Sequence, residues 1–234
     1  MGLVPMTAPT EQQLAHSIER PCPMIVVHHL GVSQSDRIVW LCEELGLDYE
    51  LVRHERDPVT RLAPASYRAL HPSGTAPVIT DGDLVLGESA AIIEYLARKY
   101  GGGRLFVSPD EPNFADFLYW FHFANGSMLP SAMMPMVVKM VTGGSDTATF
   151  MSERLERNYA MLEDRLGVVP WLAGDDFTAA DIMIAFPLTT MRLFSPRDLS
   201  PYPNIRAYLA RIAERPAFTR AMHLADPDLV LPMA

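Results

Sequence analysis

Residues 71–89 constrain the fold of this chain more than any other stretch. Two short apolar runs, Val78-Ile79 and Leu84-Val85-Leu86, flank Asp81-Gly82-Asp83, and Asp-Gly between apolar runs is the strongest short signal for a β-hairpin. The pair Glu88-Ser89 follows directly, ahead of an apolar run typical of a helix, and Ser89 is a natural N-cap. The stretch therefore predicts a hairpin that leads into a helix, whose first N–H groups favour an anionic ligand.

The chain ahead of this stretch predicts further strands and helices. An apolar, β-rich run over residues 24–30 indicates a buried strand, and residues 49–53 and 65–70 predict a second strand and a short helix. Between the two strands, the apolar residues Ile38, Leu41, Cys42 and Leu45 recur at helical spacing and predict a helix. Gly46 directly after them predicts the end of this helix. The order βαβαββα over residues 24–100 indicates an α/β layer, with parallel pairing across the first helix and an antiparallel hairpin.

Beyond residue 100 the sequence predicts helices only. Residues 101–112 combine glycines and prolines without a periodic pattern, which indicates a linker. Helical spacing then recurs through residues 113–234, with Pro130 predicting a break and Pro135 a kink. The helical segments are 113–123, 128–141, 147–166, 202–213 and 217–222. An all-α C-terminal bundle is therefore expected, whereas residues 1–23, with little periodicity, predict a flexible extension.

One more helix start is marked by Thr178. Asp181 stands three residues later, as the acidic member of a capping box, and Phe177 and Ile182 occupy the two positions of a hydrophobic staple. Because these local signals agree, the sequence predicts a helix that begins directly after Thr178.

The charge balance disfavours several classes of partner. The net charge is -9, which opposes attraction to phosphate backbones and to anionic lipid, so neither nucleic acid nor a membrane is expected as a partner. No apolar run reaches the roughly 18 residues of a membrane helix, and residues 1–20 lack the apolar core of a signal peptide. The two cysteines, Cys22 and Cys42, are too few for a disulfide framework or a metal set. A cytoplasmic protein without bound metal is the expectation.

Six motifs follow one another between residues 24 and 223. They are His28-His29-Leu30 with Ser33-Gln34-Ser35-Asp36-Arg37, Trp40 to Glu50, His71-Pro72-Ser73-Gly74-Thr75-Ala76-Pro77-Val78, Leu86-Gly87-Glu88-Ser89, Trp171 to Asp181, and Arg215-Pro216-Ala217-Phe218. In this order they resemble the cytosolic glutathione S-transferases, chiefly bacterial and fungal members. The resemblance implies a thioredoxin-like N-terminal domain, an all-α C-terminal domain and a homodimer. The chain departs from the family pattern at Asp36, at Ala76, where valine is commoner, and at Asn125, which replaces a frequent glutamate.

The resemblance also implies chemistry on the thiol of glutathione. The thiolate is the nucleophile, and an ordinary thiol, whose pKa is about 8.5, is mostly protonated at neutral pH. A hydroxyl that donates to the charged sulfur contributes about 1.5–3 kcal/mol, which lowers the pKa of the thiol by about one to two. By alignment with the serine of theta-like members, Ser33 is the predicted catalytic hydroxyl. Ser35 is the competitor, and its expected role is the N-cap of the following helix.

Several residues are implied to hold glutathione. The Ala76-Pro77 bond is expected to be cis, so that the backbone of Ala76 pairs with the peptide around the cysteinyl unit. Glu88 and Ser89 are expected to hold the ammonium and carboxylate of the γ-glutamyl end. His71 or Arg53 is expected to reach the glycyl carboxylate, and the spacing does not choose between them.

A second, electrophilic substrate is expected against the helical half. Trp120, Phe123 and Met128, together with Met133, Met134, Met136 and Met140, offer a soft apolar surface that suits varied small molecules. Core packing or a dimer surface accounts for most of these residues equally well, so both interpretations stay open.

The predicted function is a glutathione transferase that conjugates glutathione to small hydrophobic electrophiles. A glutathione-dependent peroxidase would use the same site, and a non-catalytic module that keeps the fold for binding or assembly is the alternative from another class. No cysteine lies in the loop around Ser33, residues 31–35, and Cys42 belongs to an apolar helix face, so exchange with a protein thiol is not expected. Nor do His28 and His29 predict a metal site, because adjacent strand residues point to opposite faces.

Overall fold

The computed structural model describes residues 25–142 and 148–233. The expected N-terminal extension, residues 1–23, lies outside the described residues, as does Met24, the predicted first residue of the first strand. The first half contains, in order, β1 (Ile25–Leu30), α1 (Asp36–Leu45), β2 (Tyr49–His54), α2 (Ala65–Arg68), β3 (Val78–Asp81), β4 (Leu84–Gly87) and α3 (Ser89–Lys99). The predicted order βαβαββα is therefore confirmed.

The four strands form one mixed sheet in the order β2-β1-β3-β4. Strand β1 pairs in parallel with β2, with Val27 opposite Leu51, and antiparallel with β3, with Val27 opposite Ile79. Strands β3 and β4 pair antiparallel across the predicted turn. Gly82 has φ 59° there, at the first central position, where a type II′ turn favours glycine. The predicted parallel and antiparallel pairings are confirmed.

The second half is helical, as predicted. Its elements are α4 (Phe114–Phe123), a π-helical turn (Ala124–Met128), α5 (Leu129–Thr142), α6 (Ala148–Leu166), α7 (Ala179–Leu188), a 3₁₀ turn (Thr190–Leu193), α8 (Pro203–Ala213) and α9 (Pro216–Ala225). Within the described residues after α3, the β-type pairing is limited to an isolated bridge between Trp171 and Gly174. None of the described helices is both long and apolar enough to cross a membrane.

The junction of α4 and α5 differs from the sequence expectation. The sequence predicts a break at Pro130, but the chain stays helical and widens into a π-helical turn before α5. Pro130 is the second residue of α5 and directly follows the π-helical turn. Asn125, Gly126 and Ser127 are weak α-helix formers, which favours a departure from α geometry at this point. Such π turns are frequent at functional sites.

Helix α1 lies at the centre of the molecule. Its residues Ile38, Val39, Trp40 and Leu41 are at most 1% exposed, because the helix is covered on different sides by α3, α7 and α9. Cys42 is also fully buried, as expected for a small apolar residue, and burial raises the pKa of its thiol to about 12. One apolar core therefore continues from the sheet through α1 into the helical half.

The predicted capping box at α7 is present. The Asp181 carboxylate accepts the Thr178 N–H at 2.8 Å, which is the bond that defines the motif. It also accepts the Leu172 N–H and the Tyr208 hydroxyl, both at 2.9 Å. Because Asp181 is fully buried, its carboxylate satisfies donors from three separate segments that have no access to water.

We expect Asp181→Ala to lower the free energy of unfolding by about 3–5 kcal/mol, because each buried donor left unpaired costs about 1–3 kcal/mol. Denaturant unfolding measures the change. The control is Asp175→Ala in the exposed loop ahead of α7, which is expected to stay within about 0.5 kcal/mol of the parent. Equal effects of the two substitutions would contradict the structural role of Asp181.

Candidate functional site

A cleft of about 330 Å³ lies between the active loop, residues 31–35, and the helical half. Ser33, Gln34, Thr75 and Ala76 line its polar side. The other wall is apolar and consists of Met133, Met136, Phe186, Met191 and Phe194. The cleft therefore combines a hydroxyl-bearing loop with a wall of sulfur-containing and aromatic side chains.

The active loop has an uncommon backbone conformation. Val32 has φ 51°, a left-handed conformation that costs about 1–3 kcal/mol and that β-branched residues rarely adopt. Asp226, directly after α9, accepts the Val32 N–H with both carboxylate oxygens, at 3.1 and 3.2 Å. Arg56 donates from Nε to the Gly31 carbonyl at 2.8 Å and from Nη2 to the Val32 carbonyl at 3.2 Å. Two charged side chains thus hold the loop in place.

Ser33 and Ser35 have different surroundings. Ser33 lines the cleft, and its hydroxyl lies 2.6 Å from the Leu30 carbonyl, to which it can donate. Ser35 is fully buried, with its Oγ 2.7 Å from the Ser33 Oγ. The predicted capping role of Ser35 is wrong: it holds the N-cap position of α1 without a side-chain cap bond. Its hydroxyl accepts the Leu30 N–H at 3.1 Å instead and lies 2.8 Å from His29 Nδ1.

Arg37 connects the turn between β4 and α3 to the active loop by hydrogen bonds. Glu88 is exposed and has φ 70°, and it holds the N-cap position of α3. Ser89 is therefore the first helical residue and not the predicted N-cap. Its buried Oγ does not cap the helix but accepts from Arg37 Nη1 at 3.3 Å. The same Nη1 donates to Gln34 Oε1 and to Asn125 Oδ1, both at 2.9 Å. One guanidinium thus joins the active loop, this turn and the π-helical turn.

Asp36 and Arg37 are adjacent buried charges with different partners. Burial lowers the pKa of the Arg37 guanidinium to about 10, and its central carbon lies 5.1 Å from the ring centre of Phe186. Within the described part of the chain, its Nε and Nη2 meet no hydrogen-bond partner. Asp36 accepts the Thr190 hydroxyl at 2.7 Å, and burial raises the pKa of its carboxyl to about 6. Both residues link the active loop to the helical half.

The predicted bond geometry at Pro77 is confirmed, because the Ala76-Pro77 peptide is cis. Ala76 lines the same cleft as Ser33. The two candidates for the glycyl carboxylate lie outside this cleft. Arg53 pairs with Glu55 at 3.6 Å in a separate groove beside Asp226. His71 lies 2.9 Å from Ser73 Oγ and packs over Gly87.

The predicted contacts to the second substrate need correction. Trp120, Phe123 and Met128 are 6%, 5% and 0% exposed and belong to the hydrophobic core, so they do not line the cleft. Two of the other methionines that the sequence singles out, Met133 and Met136, do line it. The helical positions look alike in sequence because a core face and a cleft face share the same periodicity.

Sequence reasoning missed five cleft residues: Arg56, Ala63, Phe186, Met191 and Phe194. Phe186 lies in a helix of which every residue is buried, so its pattern indicates core alone. Met191 lies in the short 3₁₀ turn after that helix, and Phe194 follows the turn directly, so neither belongs to a segment long enough to show a periodicity. Arg56 carries the one usable signal, since an arginine just after a strand that neighbours the active loop is placed to hold that loop.

Comparison with known proteins decides the family. Two family models match, "Glutathione S-transferase, N-terminal domain" over residues 33–99 and "Glutathione S-transferase, C-terminal domain" over residues 127–216. Glutathione S-transferase 3 of Schizosaccharomyces pombe is 33% identical over 215 residues, covering 83% of this chain and 85% of that protein. The chain belongs to the glutathione S-transferase family. A solved glutathione S-transferase from Actinobacillus pleuropneumoniae is 35% identical, with a TM-score of 0.79 over 87% of this chain and 93% of its own.

In this glutathione S-transferase, the buried Asp36 makes stability depend on pH. The pKa of its carboxyl is about 6 in the folded state and about 3.9 in an unfolded chain. Its contribution is therefore present at low pH and is lost as pH rises through about 6. We subtract the unfolding free energy of the parent from that of Asp36→Asn at each pH. This difference should be about 2–3 kcal/mol larger at about pH 7.5 than at about pH 4.

Denaturant unfolding at the two pH values measures this difference. The matched control is Asp83→Asn in the exposed hairpin turn, whose difference from the parent is expected to be the same at both pH values. A pH-independent difference for Asp36→Asn would show that the buried carboxyl does not titrate in this range.

Proposed function

We propose that the protein binds glutathione, stabilises its thiolate with Ser33 and conjugates it to small apolar electrophiles. The observation that carries the proposal is the cleft, in which the hydroxyl of Ser33 and the backbone of Ala76 share one space with an apolar wall. The family and the named transferases among its relatives support the same reaction.

Three features of the site favour an anionic sulfur. The Ser33 hydroxyl donates to it, contributing about 1.5–3 kcal/mol. The N-terminus of α1, which begins at Asp36, lies directly after the active loop and carries a partial positive charge. Arg37 adds a positive charge, which the neighbouring Asp36 carboxylate offsets in part and the neutral amide of Asn125 does not. In this proposal the thiolate forms at the polar side of the cleft.

The rest of the glutathione molecule runs from Ala76 toward α3. Ala76 offers its backbone groups to the cysteinyl unit, beside Pro77. The γ-glutamyl end lies at the turn of Glu88 and Ser89, where an exposed carboxylate suits an ammonium and the start of α3 suits a carboxylate. A homodimer, a cytoplasmic location and a role in detoxification are further parts of the proposal, carried by the family.

Replacing Ser33 by alanine tests the proposed catalytic hydroxyl. We expect Ser33→Ala to lower kcat/KM for an aryl halide about 10- to 100-fold, because the thiolate loses one charge-assisted hydrogen bond. Glutathione affinity, measured by calorimetry, should change little. Ser108→Ala in the exposed linker is the control. A parent protein that neither binds glutathione nor turns over an aryl halide or a hydroperoxide would overturn the proposed function itself.

The apolar wall is tested at Phe194, which lines the cleft and is 42% exposed. Phe194→Ser should raise KM for an apolar electrophile about five- to tenfold and leave KM for glutathione unchanged, since only apolar contact area is lost. Its neighbour Leu193 is 41% exposed and does not line the cleft. Leu193→Ser is therefore a matched control, and an equal rise in KM for both variants would place the electrophile elsewhere.

A further inference from the structure

A chain of four polar side chains leads from the cleft to the end of α9. The Ser33 Oγ lies 2.7 Å from the Ser35 Oγ, which lies 2.8 Å from His29 Nδ1. His29 Nε2 in turn lies 3.1 Å from Asp226 Oδ2. Ser35 and His29 are fully buried, and only Ser33 reaches the cleft. A carboxylate, an imidazole and two hydroxyls are therefore in continuous hydrogen-bond contact behind the proposed site of the sulfur.

The donors in this chain can be assigned from its far end. Burial alone would raise the pKa of Asp226, but the hydrogen bonds from His29 and from the Val32 N–H hold that pKa below its usual value. An ionised Asp226 accepts only, so His29 Nε2 carries the hydrogen and Nδ1 accepts from the Ser35 hydroxyl. Ser35 Oγ also accepts the Leu30 N–H at 3.1 Å, which leaves one lone pair for the hydroxyl of Ser33. The Ser33 hydroxyl has two acceptors within reach, the Leu30 carbonyl at 2.6 Å and Ser35 Oγ at 2.7 Å, and the relay uses the orientation toward Ser35.

We infer that His29 accepts the proton of the glutathione thiol through the hydroxyls of Ser35 and Ser33, and that Asp226 orients His29 and stabilises its charged form. This inference rests on the proposed function, because it needs glutathione in the cleft. Ser33 touches the substrate in this scheme. His29, Ser35 and Asp226 act through it as positioning residues, in the arrangement of a nucleophile, a base and a group that orients the base.

The proton balance of the step is complete. The S–H bond breaks and its proton moves to Ser33 Oγ, the Ser33 proton moves to Ser35 Oγ, and the Ser35 proton moves to His29 Nδ1. The products are a thiolate and an imidazolium paired with the Asp226 carboxylate. Afterwards His29 donates to Ser35, Ser35 donates to Ser33, and Ser33 donates to the sulfur. Each hydroxyl is again both donor and acceptor, so no buried polar group in the chain loses its partner.

Groups of both signs surround the chain of four side chains. The titratable and charged groups that face it from neighbouring elements are Asp226, Asp36, His54, Arg53 and Arg56. The two carboxylates attract a positive His29, whereas the other three groups oppose it when charged. Asp226 has the largest influence because it is in direct hydrogen-bond contact, and Coulomb attraction falls with distance.

Measuring where the thiol proton goes separates the proposed relay from a purely structural role of His29, Ser35 and Asp226. Glutathione is added to the full-length parent in a weakly buffered solution at about pH 7.5, where the free thiol is mostly protonated. Ultraviolet absorbance counts the thiolate formed, and an indicator dye counts the protons released. With His29 as acceptor, thiolate forms while almost no proton reaches the solvent.

Variants of the chain should release one proton for each thiolate that they form. His29→Asn keeps a polar group at the Nδ1 position but cannot hold the proton. Ser35→Ala interrupts the chain of hydrogen bonds at a different residue, so the relay is still tested if His29→Asn fails to fold. In both, the pKa of bound glutathione should rise, giving about tenfold less thiolate at the same pH. The matched control is His28→Asn, on the opposite face of β1 beside His54, which should behave as the parent does.

The outcomes distinguish failure of the relay from failure of the proposed transferase function. Release of one proton per thiolate by the parent would overturn the relay and leave the transferase proposal intact. The same conclusion would follow if both His29→Asn and Ser35→Ala formed as much thiolate and released as few protons as the parent. Absence of any thiolate or bound glutathione in the parent would overturn the proposed function. Thiolate without proton release in the parent, with release restored in the variants, is the expected result.

Discussion

The carboxylate of Asp226 is the interaction on which the geometry of the site depends. It accepts the N–H of Val32 with both oxygens and contacts His29 at the end of β1. Val32 is strained by about 1–3 kcal/mol, and charge-assisted hydrogen bonds of about 1.5–3 kcal/mol each are of the size needed to offset that strain. Among the residues that the structure describes, Asp226 is the side chain that accepts the Val32 N–H and so supports the left-handed backbone that precedes Ser33.

Two neighbouring charges connect the halves of the molecule next to that loop. Arg37 contacts the turn before α3 and the π-helical turn, while Asp36 contacts the 3₁₀ turn. Burying these charges is costly, and apolar side chains in their place would stabilise the fold as well or better. Their directional bonds instead specify how the loop and the helical half meet, since an apolar contact tolerates sliding and a hydrogen bond does not.

The parts of the structure that sequence predicts are those with local signals. The Asp-Gly hairpin, the Thr178–Asp181 capping box and the order of elements each depend on residues a few positions apart. The contacts that build the site join distant residues: His29 and Asp226 are separated by 197 positions, and Asp36 and Thr190 by 154. No periodicity or spacing encodes such a pair, because it arises only when α9 and the 3₁₀ turn pack on α1.

The same limit explains the errors at single residues. Ser35 holds an N-cap position and Ser89 lies one residue beyond one, yet neither hydroxyl caps its helix: the Ser35 hydroxyl accepts the N–H of Leu30 at the end of the preceding strand, and the Ser89 hydroxyl accepts from Arg37. Trp120 and Phe123 look in sequence like residues of a binding wall and are core residues, because the faces of α4 are assigned only by what packs on them.

The apolar wall of the cleft has chemistry of its own. Three of its side chains, Met133, Met136 and Met191, carry thioether sulfurs, which oxidants convert into polar sulfoxides. Cys42 is shielded from the same reaction, because it is buried and its thiol stays protonated. Oxidation of the exposed Met133 would therefore make the apolar wall of the cleft more polar. Methionine sulfoxide reductases, which reverse that reaction, would restore the apolar wall.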